Sequence, residues 1–236
     1  MINRAEIKAT AKEQIKGKIG VLFVMALIVF AITFVVSLVP IVGGLAQMLF
    51  APAFTLGFAM VFLAIAAGEK PRVGDVFNGF PRWGKAFWLE FLKLIFSGGW
   101  LLIVWSGVFA FMAAMSVGDL YSPNYELVAS APSAATNILM VIGLCAIGII
   151  VFIRYLRYAL STYILAENEN MTAREAITES VRLMRGRLSE LFVLGLSFIL
   201  WFLLATITFG IATIYVWPYF SATMVNYYNS VKTFEV

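Results

Sequence analysis

Residues 19–68 read IGVLFVMALIVFAITFVVSLVPIVGGLAQMLFAPAFTLGFAMVFLAIAAG, fifty residues without one Asp, Glu, Lys or Arg. Residues 94–118, 127–153 and 191–231 are equally free of charged side chains. A helix needs about 20 apolar residues to cross the hydrocarbon layer of a bilayer. The first and last stretches can therefore hold two spans each, and the two between them can hold one each. The sequence predicts an all-α, polytopic transmembrane helical bundle with six spans.

Turn-forming residues inside the long stretches set the limits of these spans. Pro40 and the pair Gly43-Gly44 break the first stretch, because proline lacks an N–H and glycine tolerates tight backbone geometry. In the last stretch we place the turn near Gly210, which leaves Pro218 as a kink inside the sixth helix. The predicted spans are 20–39, 45–67, 91–115, 136–153 (extending to 166 in one alternative), 191–209 and 211–230.

The composition argues against most enzyme classes. Hydrophobic residues make up 62% of the chain and charged residues 13%, with no histidine and one cysteine. The absence of histidine removes a common acid–base catalyst and zinc ligand, and one cysteine cannot form an internal disulfide. The sequence contains no phosphate-binding loop, dinucleotide-binding turn, zinc-protease motif or serine nucleophile elbow. We expect a non-enzymatic protein with no catalytic residue, cofactor or metal.

The basic residues set the predicted orientation. With the N-terminus inside, all 17 Lys and Arg residues fall in cytoplasmic segments, whereas the external loops carry only Asp119 and Glu126. Because basic residues favour the cytoplasmic side of a membrane, we expect both termini in the cytoplasm. The formal net charge of +4 is then a topology signal, and we expect no nucleic-acid partner.

The chain also contains a candidate internal repeat. An offset of 169 residues places Asn3–Glu6 on Thr172–Glu175, and each segment opens with a helix-capping residue followed three positions later by Glu. The same offset places Lys16-Gly17-Lys18 on Arg185-Gly186-Arg187. A third, weaker copy starts at Gly84-Lys85. Each copy would be a cytoplasmic helix, a basic hinge containing glycine and a transmembrane hairpin, all pointing the same way. The alternative is that apolar helices resemble one another by composition alone.

We treat the chain as one membrane domain, 1–236, in which amphipathic segments and hairpins alternate. The segments are a basic cytoplasmic amphipathic helix (1–18), hairpin one (20–67), a cytoplasmic loop (68–90), hairpin two (91–166), a second cytoplasmic amphipathic helix (167–190) and hairpin three (191–230). Within the second amphipathic segment, the oxygen atoms of Glu167–Asn170 suit either a cation site or a polar linker capped by Thr172.

The first amphipathic helix has two different faces. Its basic face carries Arg4, Lys8, Lys12 and Lys16, and its apolar face carries Ile7, Ala11, Ile15 and Ile19. Such a helix can lie on the inner leaflet with its cations on anionic headgroups, at about 1 kcal/mol per charge. We predict inner-leaflet lipid contacts at the four basic residues. The alternative is a topology anchor with a solvated face.

Two arginines at the end of the fourth span form a candidate ligand or lipid site. If the helix ends at Ile153, Arg154 and Arg157 are flanking residues that reach the interface. If it continues to Ala166, both arginines lie inside the membrane and face the bundle interior. A charge placed there normally has a partner, and Glu90 is the nearest plausible one. Both alternatives remain open.

Three stretches of the chain resemble a known family. Residues 163–201 read YILAENENMTAREAITESVRLMRGRLSELFVLGLSFILW. Together with NRAEIKATAKEQIKGK at 3–18 and GEKPRVGDVFNGF at 68–80, they resemble domain-of-unknown-function family 975. Its members are six-helix integral membrane proteins mainly of Gram-positive bacteria. The resemblance implies the bacterial plasma membrane and supplies no catalytic residue and no activity.

Two functions fit these observations. The first is a protein that binds or moves an amphipathic substrate, lipid-like or peptide-like, which rests on the basic helices, the arginine pair and the repeat. The second is a structural, regulatory or immunity-type membrane protein that acts through partner proteins or as a homo-oligomer. The second function needs no site inside the bundle.

Overall fold

The computed structural model describes residues 3–39, 42–120 and 134–233, with no account of the side chains at 42, 111–120 and 134–137. The chain is all-helical over these residues, as the sequence predicts, and no strand occurs among them. Four helices are long and apolar enough to cross a membrane, or five if the helix pair meeting at Gly98 counts as one bent span. The all-helical fold is therefore confirmed, whereas six spans and their topology remain a prediction.

The α-helices are numbered in chain order, with one 3-10 helix between α3 and α4. Their bounds are α1 Arg4–Ile15, α2 Ile19–Ser37, α3 Val42–Ala66, the 3-10 helix Val73–Arg82, α4 Trp83–Ser97, α5 Gly99–Leu120, α6 Ala134–Leu156, α7 Ser161–Glu167, α8 Ala173–Leu183, α9 Leu188–Leu196, α10 Ile199–Ile207 and α11 Thr213–Thr233. They fall into two compact units: residues 1–92 with 156–236, and residues 93–155.

Helices α3 and α11 supply much of the core of the first unit. Tyr227, Tyr228 and Val225 on α11 are almost fully buried, as are Leu56 and Ile65 on α3. Helix α11 occupies the predicted sixth span, but it is not among the candidate spans, since its tyrosine, asparagine, serine and threonine side chains lower its hydropathy.

Helix α11 also bears out two details of the sequence analysis. The backbone turns at Gly210, where φ is +89°, a conformation that glycine adopts without steric cost. Pro218 lies inside the helix, as expected.

The first amphipathic helix packs its apolar face on protein. Ile7, Ala11 and Ile15 of α1 are all buried, and α1 contacts α11 and α3. The Asn226 amide on α11 also donates to Gln14 Oε1 at 2.8 Å. These three apolar residues are therefore covered by other parts of this chain.

The segment expected as a cytoplasmic loop, 68–90, is largely helical and packs on α3. The 3-10 helix approaches α3 at two glycines: a Cβ on Gly57 would lie 2.0 Å from the Val76 carbonyl oxygen, and one on Gly79 would lie 1.9 Å from the Ala53 carbonyl oxygen. Phe54 of α3 meets Phe80 edge-on, with the ring centroids 5.0 Å apart. Only hydrogen at the two glycines allows this contact between backbones.

Positions that lie 169 residues apart in the chain share two backbone features. Asn3 and Thr172 both cap the following helix with a side-chain oxygen. Gly17 and Gly186 both have φ of +76°. The predicted third hinge at Gly84-Lys85 is wrong, because both residues lie inside α4.

The second unit joins α5 to α6 through a tryptophan. The indole N–H of Trp105 donates to the Met140 carbonyl oxygen at 3.1 Å. A Cβ on Gly143 would lie 2.7 Å from the same indole ring, so glycine leaves room for the ring. The predicted external residue Glu126 lies outside the described residues, and the side chain of Asp119 is not described.

Candidate functional site

The arginine pair at the end of α6 has exposed side chains. Arg154 and Arg157 are both exposed, neither being enclosed by the described helices. Arg154 lies beside the glycine that separates α4 from α5, with Nη1 3.9 Å from the place that a Cβ on Gly98 would take. Helix α6 ends at Leu156 and α7 begins at Ser161, so Arg154 lies in the last turn of α6 and Arg157 directly follows that helix.

The position of Glu90, the predicted counter-ion, does not show whether it forms one site with Arg154 and Arg157. Glu90 is half-buried on α4. Glu90 and Arg157 belong to the first unit, whereas Arg154 belongs to the second. A joint ligand site of these three residues therefore stays a prediction.

The four basic residues of α1 differ in their surroundings. Arg4, Lys12 and Lys16 are exposed, as expected for a face that meets headgroups or water. Lys8 is half-buried instead: its ammonium donates to Ser197 Oγ at 2.9 Å and lies 4.5 Å from the centre of the Phe198 ring. Burial lowers the pKa of Lys8 below its ordinary value. Lys8 thus contacts the chain at the break between α9 and α10.

Sequence reasoning missed a cleft in the first unit, where α3, α7 and α11 end. Its volume is about 1080 Å³, at the upper end of the range for ligand pockets. Every lining residue belongs to the first unit. They are Met60, Leu63, Ala64, Ala66, Ala67, Glu69, Asn78, Pro81, Arg82, Ala166, Glu167, Glu169, Asn170 and Asn229.

One wall of the cleft is apolar and the rim is polar. Met60, Leu63 and Ala64 lie three and four positions apart, on one face of the last turns of α3. Amide side chains come from three other segments: Asn78, Asn170 and Asn229. An apolar wall beside polar groups is the arrangement that suits an amphipathic ligand.

Arg82 connects the 3-10 helix to the C-terminal end of α7 beside the cleft. Its guanidinium donates to the carbonyl oxygens of Leu165 at 3.2 Å and Ala166 at 3.3 Å, at the C-terminal end of α7. It also pairs with Glu169 at 3.2 Å. The Arg82 side chain is 18% exposed and that of Glu169 is 78% exposed. The Arg82 guanidinium is therefore engaged in contacts within the protein, whereas the Glu169 carboxylate is largely exposed to solvent.

The segment between α7 and α8 is held at both ends. The Lys85 ammonium donates to the Glu169 carbonyl oxygen at 2.7 Å. At the other end, the Thr172 backbone N–H donates to the Glu175 carboxylate at 2.7 Å, and the Glu175 N–H donates back to Thr172 Oγ1 at 3.3 Å. The Thr172 hydroxyl also donates to this carboxylate at 2.8 Å, and the two bonds that the carboxylate accepts from Thr172 hold the pKa of Glu175 below its ordinary value. The linker alternative for Glu167–Asn170 fits this arrangement.

Glu167 is engaged by the end of α11. The Tyr228 hydroxyl donates to one of its carboxylate oxygens, and Lys232 donates to the other at 2.7 Å. No group of three or more Cys, Asp or Glu side chains suited to a metal ion occurs among the described residues. The polar part of the lining thus consists of carboxylates, amides and the Arg82 guanidinium.

A weak sequence signal pointed towards the cleft. Ala67-Gly68-Glu69 after α3 resembles Ala166-Glu167 at the end of α7, and both segments line it. The signal could not show that the two ends meet, because that depends on Arg82 and on the packing of α3 against α7.

Characterised proteins assign no activity to this cleft. No curated protein and no solved structure matches the chain. The resemblance carried by the opening helix, the 68–80 segment and the α7–α9 region is confirmed over almost the whole length. The chain belongs to the family described as protein of unknown function (DUF975), whose model matches residues 1–235.

Proposed function

We propose that this is a non-enzymatic protein of the bacterial plasma membrane that binds an amphipathic ligand in the cleft at the ends of α3, α7 and α11. The observation that supports this proposal is that the cleft has an apolar wall and a polar rim. Met60, Leu63 and Ala64 offer an apolar wall, while Asn78 and Glu169 offer polar groups on the rim. A ligand with one apolar and one polar side would satisfy both surfaces.

The proposal includes six spans with both termini in the cytoplasm. The segments around the cleft carry Lys70, Arg72, Arg82, Lys85 and Lys232, and clustered basic residues favour the cytoplasmic side. Under this topology the cleft opens at the inner leaflet. An amphipathic ligand would reach it from the leaflet or from the cytoplasm.

The matching caps and glycines support the repeat. Gly17 and Gly186 share a left-handed backbone at the same offset as the caps Asn3 and Thr172. We propose that the first and last hairpins are parallel copies, each fed by a helix lying along the inner leaflet. The return helices of these copies are α3 and α11, which both line the cleft.

The exposed basic residues of α1 would contact the headgroups of anionic lipids. Arg4, Lys12 and Lys16 are exposed, and each would contribute about 1 kcal/mol beside anionic lipid. Lys8 is assigned to the fold because of its bonds to Ser197. The predicted lipid contacts thus reduce to three residues.

A fluorescent probe in the cleft tests the proposed function. Cys145 is the only cysteine, so replacing it with serine allows one label at Asn78→Cys or Asn229→Cys, with Thr10→Cys on α1 as the control. In nanodiscs of zwitterionic lipid, amphipathic peptides and lysolipids of different charge are then titrated. We expect a saturable signal at the two cleft positions only. A linear response, or the same response at Thr10→Cys, would contradict the proposal.

A further inference from the structure

We infer that the cleft selects a cationic amphipathic peptide segment over an anionic or zwitterionic lipid. This inference rests on the proposed function, since it assigns the ligand of the same cleft. The argument uses the signs of the charges on the lining, the direction of the helix ends and the shape of the apolar wall.

The residues that line the cleft include three carboxylates, Glu69, Glu167 and Glu169, and one basic side chain, Arg82. Glu69 is exposed beside the end of α3, and the Glu169 side chain is 78% exposed. Arg82, the cation of the lining, is 18% exposed and donates to two carbonyl oxygens as well as to Glu169. Lys232 is bound to Glu167 at 2.7 Å. Lys232 is 52% exposed but lies outside the lining, so the lining itself has an excess of negative charge.

Helix ends add to this potential. A helix C-terminus carries a partial negative charge from its unpaired carbonyl groups. The C-terminal ends of α3 and α7 lie at the cleft, together with Asn229 near the end of α11. The chain already places cations here: Arg82 at the end of α7 and Lys232 on Glu167. These contacts show that positive charge is accepted at this end of the helices within the fold itself.

The same charges disfavour phospholipids. An anionic headgroup, or the phosphate of a zwitterionic one, would lie against Glu69 and Glu169. A peptide with lysine or arginine brings positive charge without a phosphate. Its apolar side chains can cover Met60, Leu63 and Ala64, which lie along one face of α3. A cationic amphipathic peptide satisfies both the wall and the rim.

The test compares ligands of opposite charge on matched variants. The probes are a Leu/Lys amphipathic peptide, the same peptide with Glu in place of Lys, and a zwitterionic lysolipid, each titrated against the label at Asn229→Cys. The variants are Glu69→Gln, Glu169→Gln and their combination. Glu13→Gln is the control, because Glu13 is an exposed carboxylate on α1 outside the lining. Thermal unfolding of each variant verifies that it is folded.

We expect the Leu/Lys peptide to bind at least tenfold more tightly than the Leu/Glu peptide at low salt. The double variant should weaken it at least tenfold, with no change for Glu13→Gln, and added salt should reduce the difference. Saturable binding of the lysolipid or the Leu/Glu peptide, with no effect of the double variant, would overturn cationic selection while leaving the cleft as a site. No saturable binding of any probe would overturn the proposed function as well.

Discussion

Helices α1 and α8 share a backbone frame but differ in their chemistry. Each begins after a capping side chain and ends near a glycine with φ of +76°. The outer face of α1 is basic, whereas α8 balances Glu179 against Arg182, which donates to it at 2.6 Å. Helix α1 packs against α11, while α8 packs against α7. The shared cap and glycine therefore determine where each helix begins and ends, whereas the surface residues determine what it contacts.

The largest expected effects come from the buried face of each helix. Ile15→Ala on α1 and Ile177→Ala on α8 each remove a side chain that is at most 4% exposed. We expect each to lower the free energy of unfolding by about 2–4 kcal/mol, because both leave a cavity. Unfolding in mixed micelles measures this. A loss confined to Ile15→Ala would show that α8 packs more loosely than described.

The hinge glycines should behave alike if the frames are equivalent. Gly17→Ala and Gly186→Ala add a Cβ that meets nothing within 4 Å, but they force a left-handed backbone on alanine. We expect each to cost about 1–2 kcal/mol. Gly20→Ala is the control, since it also has open space and no positive φ. Costs that differ strongly between Gly17 and Gly186 would argue against the proposed repeat.

Of the four basic residues of α1, we expect Lys8 to contribute to stability and the other three to contribute to membrane binding. Lys8→Met removes the bonds to Ser197 and the contact with the Phe198 ring, and we expect a loss of about 1 kcal/mol in stability. Lys12→Met should leave stability unchanged but weaken binding to vesicles rich in anionic lipid. Equal losses of stability in the two variants would contradict this division.

The two caps should respond differently to acid. The pKa of Glu175 is held below its ordinary value by Thr172, so its stabilising effect on α8 is complete above about pH 4.5. That effect is lost as the pH falls through the lowered pKa, because the protonated acid no longer accepts both bonds. Asn3, which caps α1, does not titrate. The protection factors of the amides at the start of α8, which are exchange rates corrected for the intrinsic effect of pH, should fall between pH 6 and pH 3, and Glu175→Gln should abolish this change.

The sequence predicts what depends on local chemistry. Charge-free length indicated the apolar helices, and residue spacing indicated the caps at Asn3 and Thr172 and the turn at Gly210. Each of these follows from residues within one or two helical turns. For the same reason, the buried face of α1 could be assigned, but not the helix that covers it.

The features that the sequence did not show depend on distant contacts. The packing of the 3-10 helix needs Gly57 and Gly79 to meet the partner backbone. Lys8 turns inward because α9 and α10 separate at Ser197, 189 positions away. The cleft needs Arg82 to bind the end of α7, 83 residues further along the chain. Neither hydrophobic periodicity nor a local motif reports such distances.

Filling the cleft tests the central claim most directly. Ala64→Trp places an indole on the apolar wall of the cleft, and Ala31→Trp places one on the exposed surface of α2 as the control. Binding of the Leu/Lys peptide is followed with the label at Asn229→Cys, with thermal unfolding in parallel. We predict that Ala64→Trp remains folded and loses saturable binding, while Ala31→Trp binds as the parent protein does. Unchanged binding to a folded Ala64→Trp protein would show that the ligand site lies elsewhere.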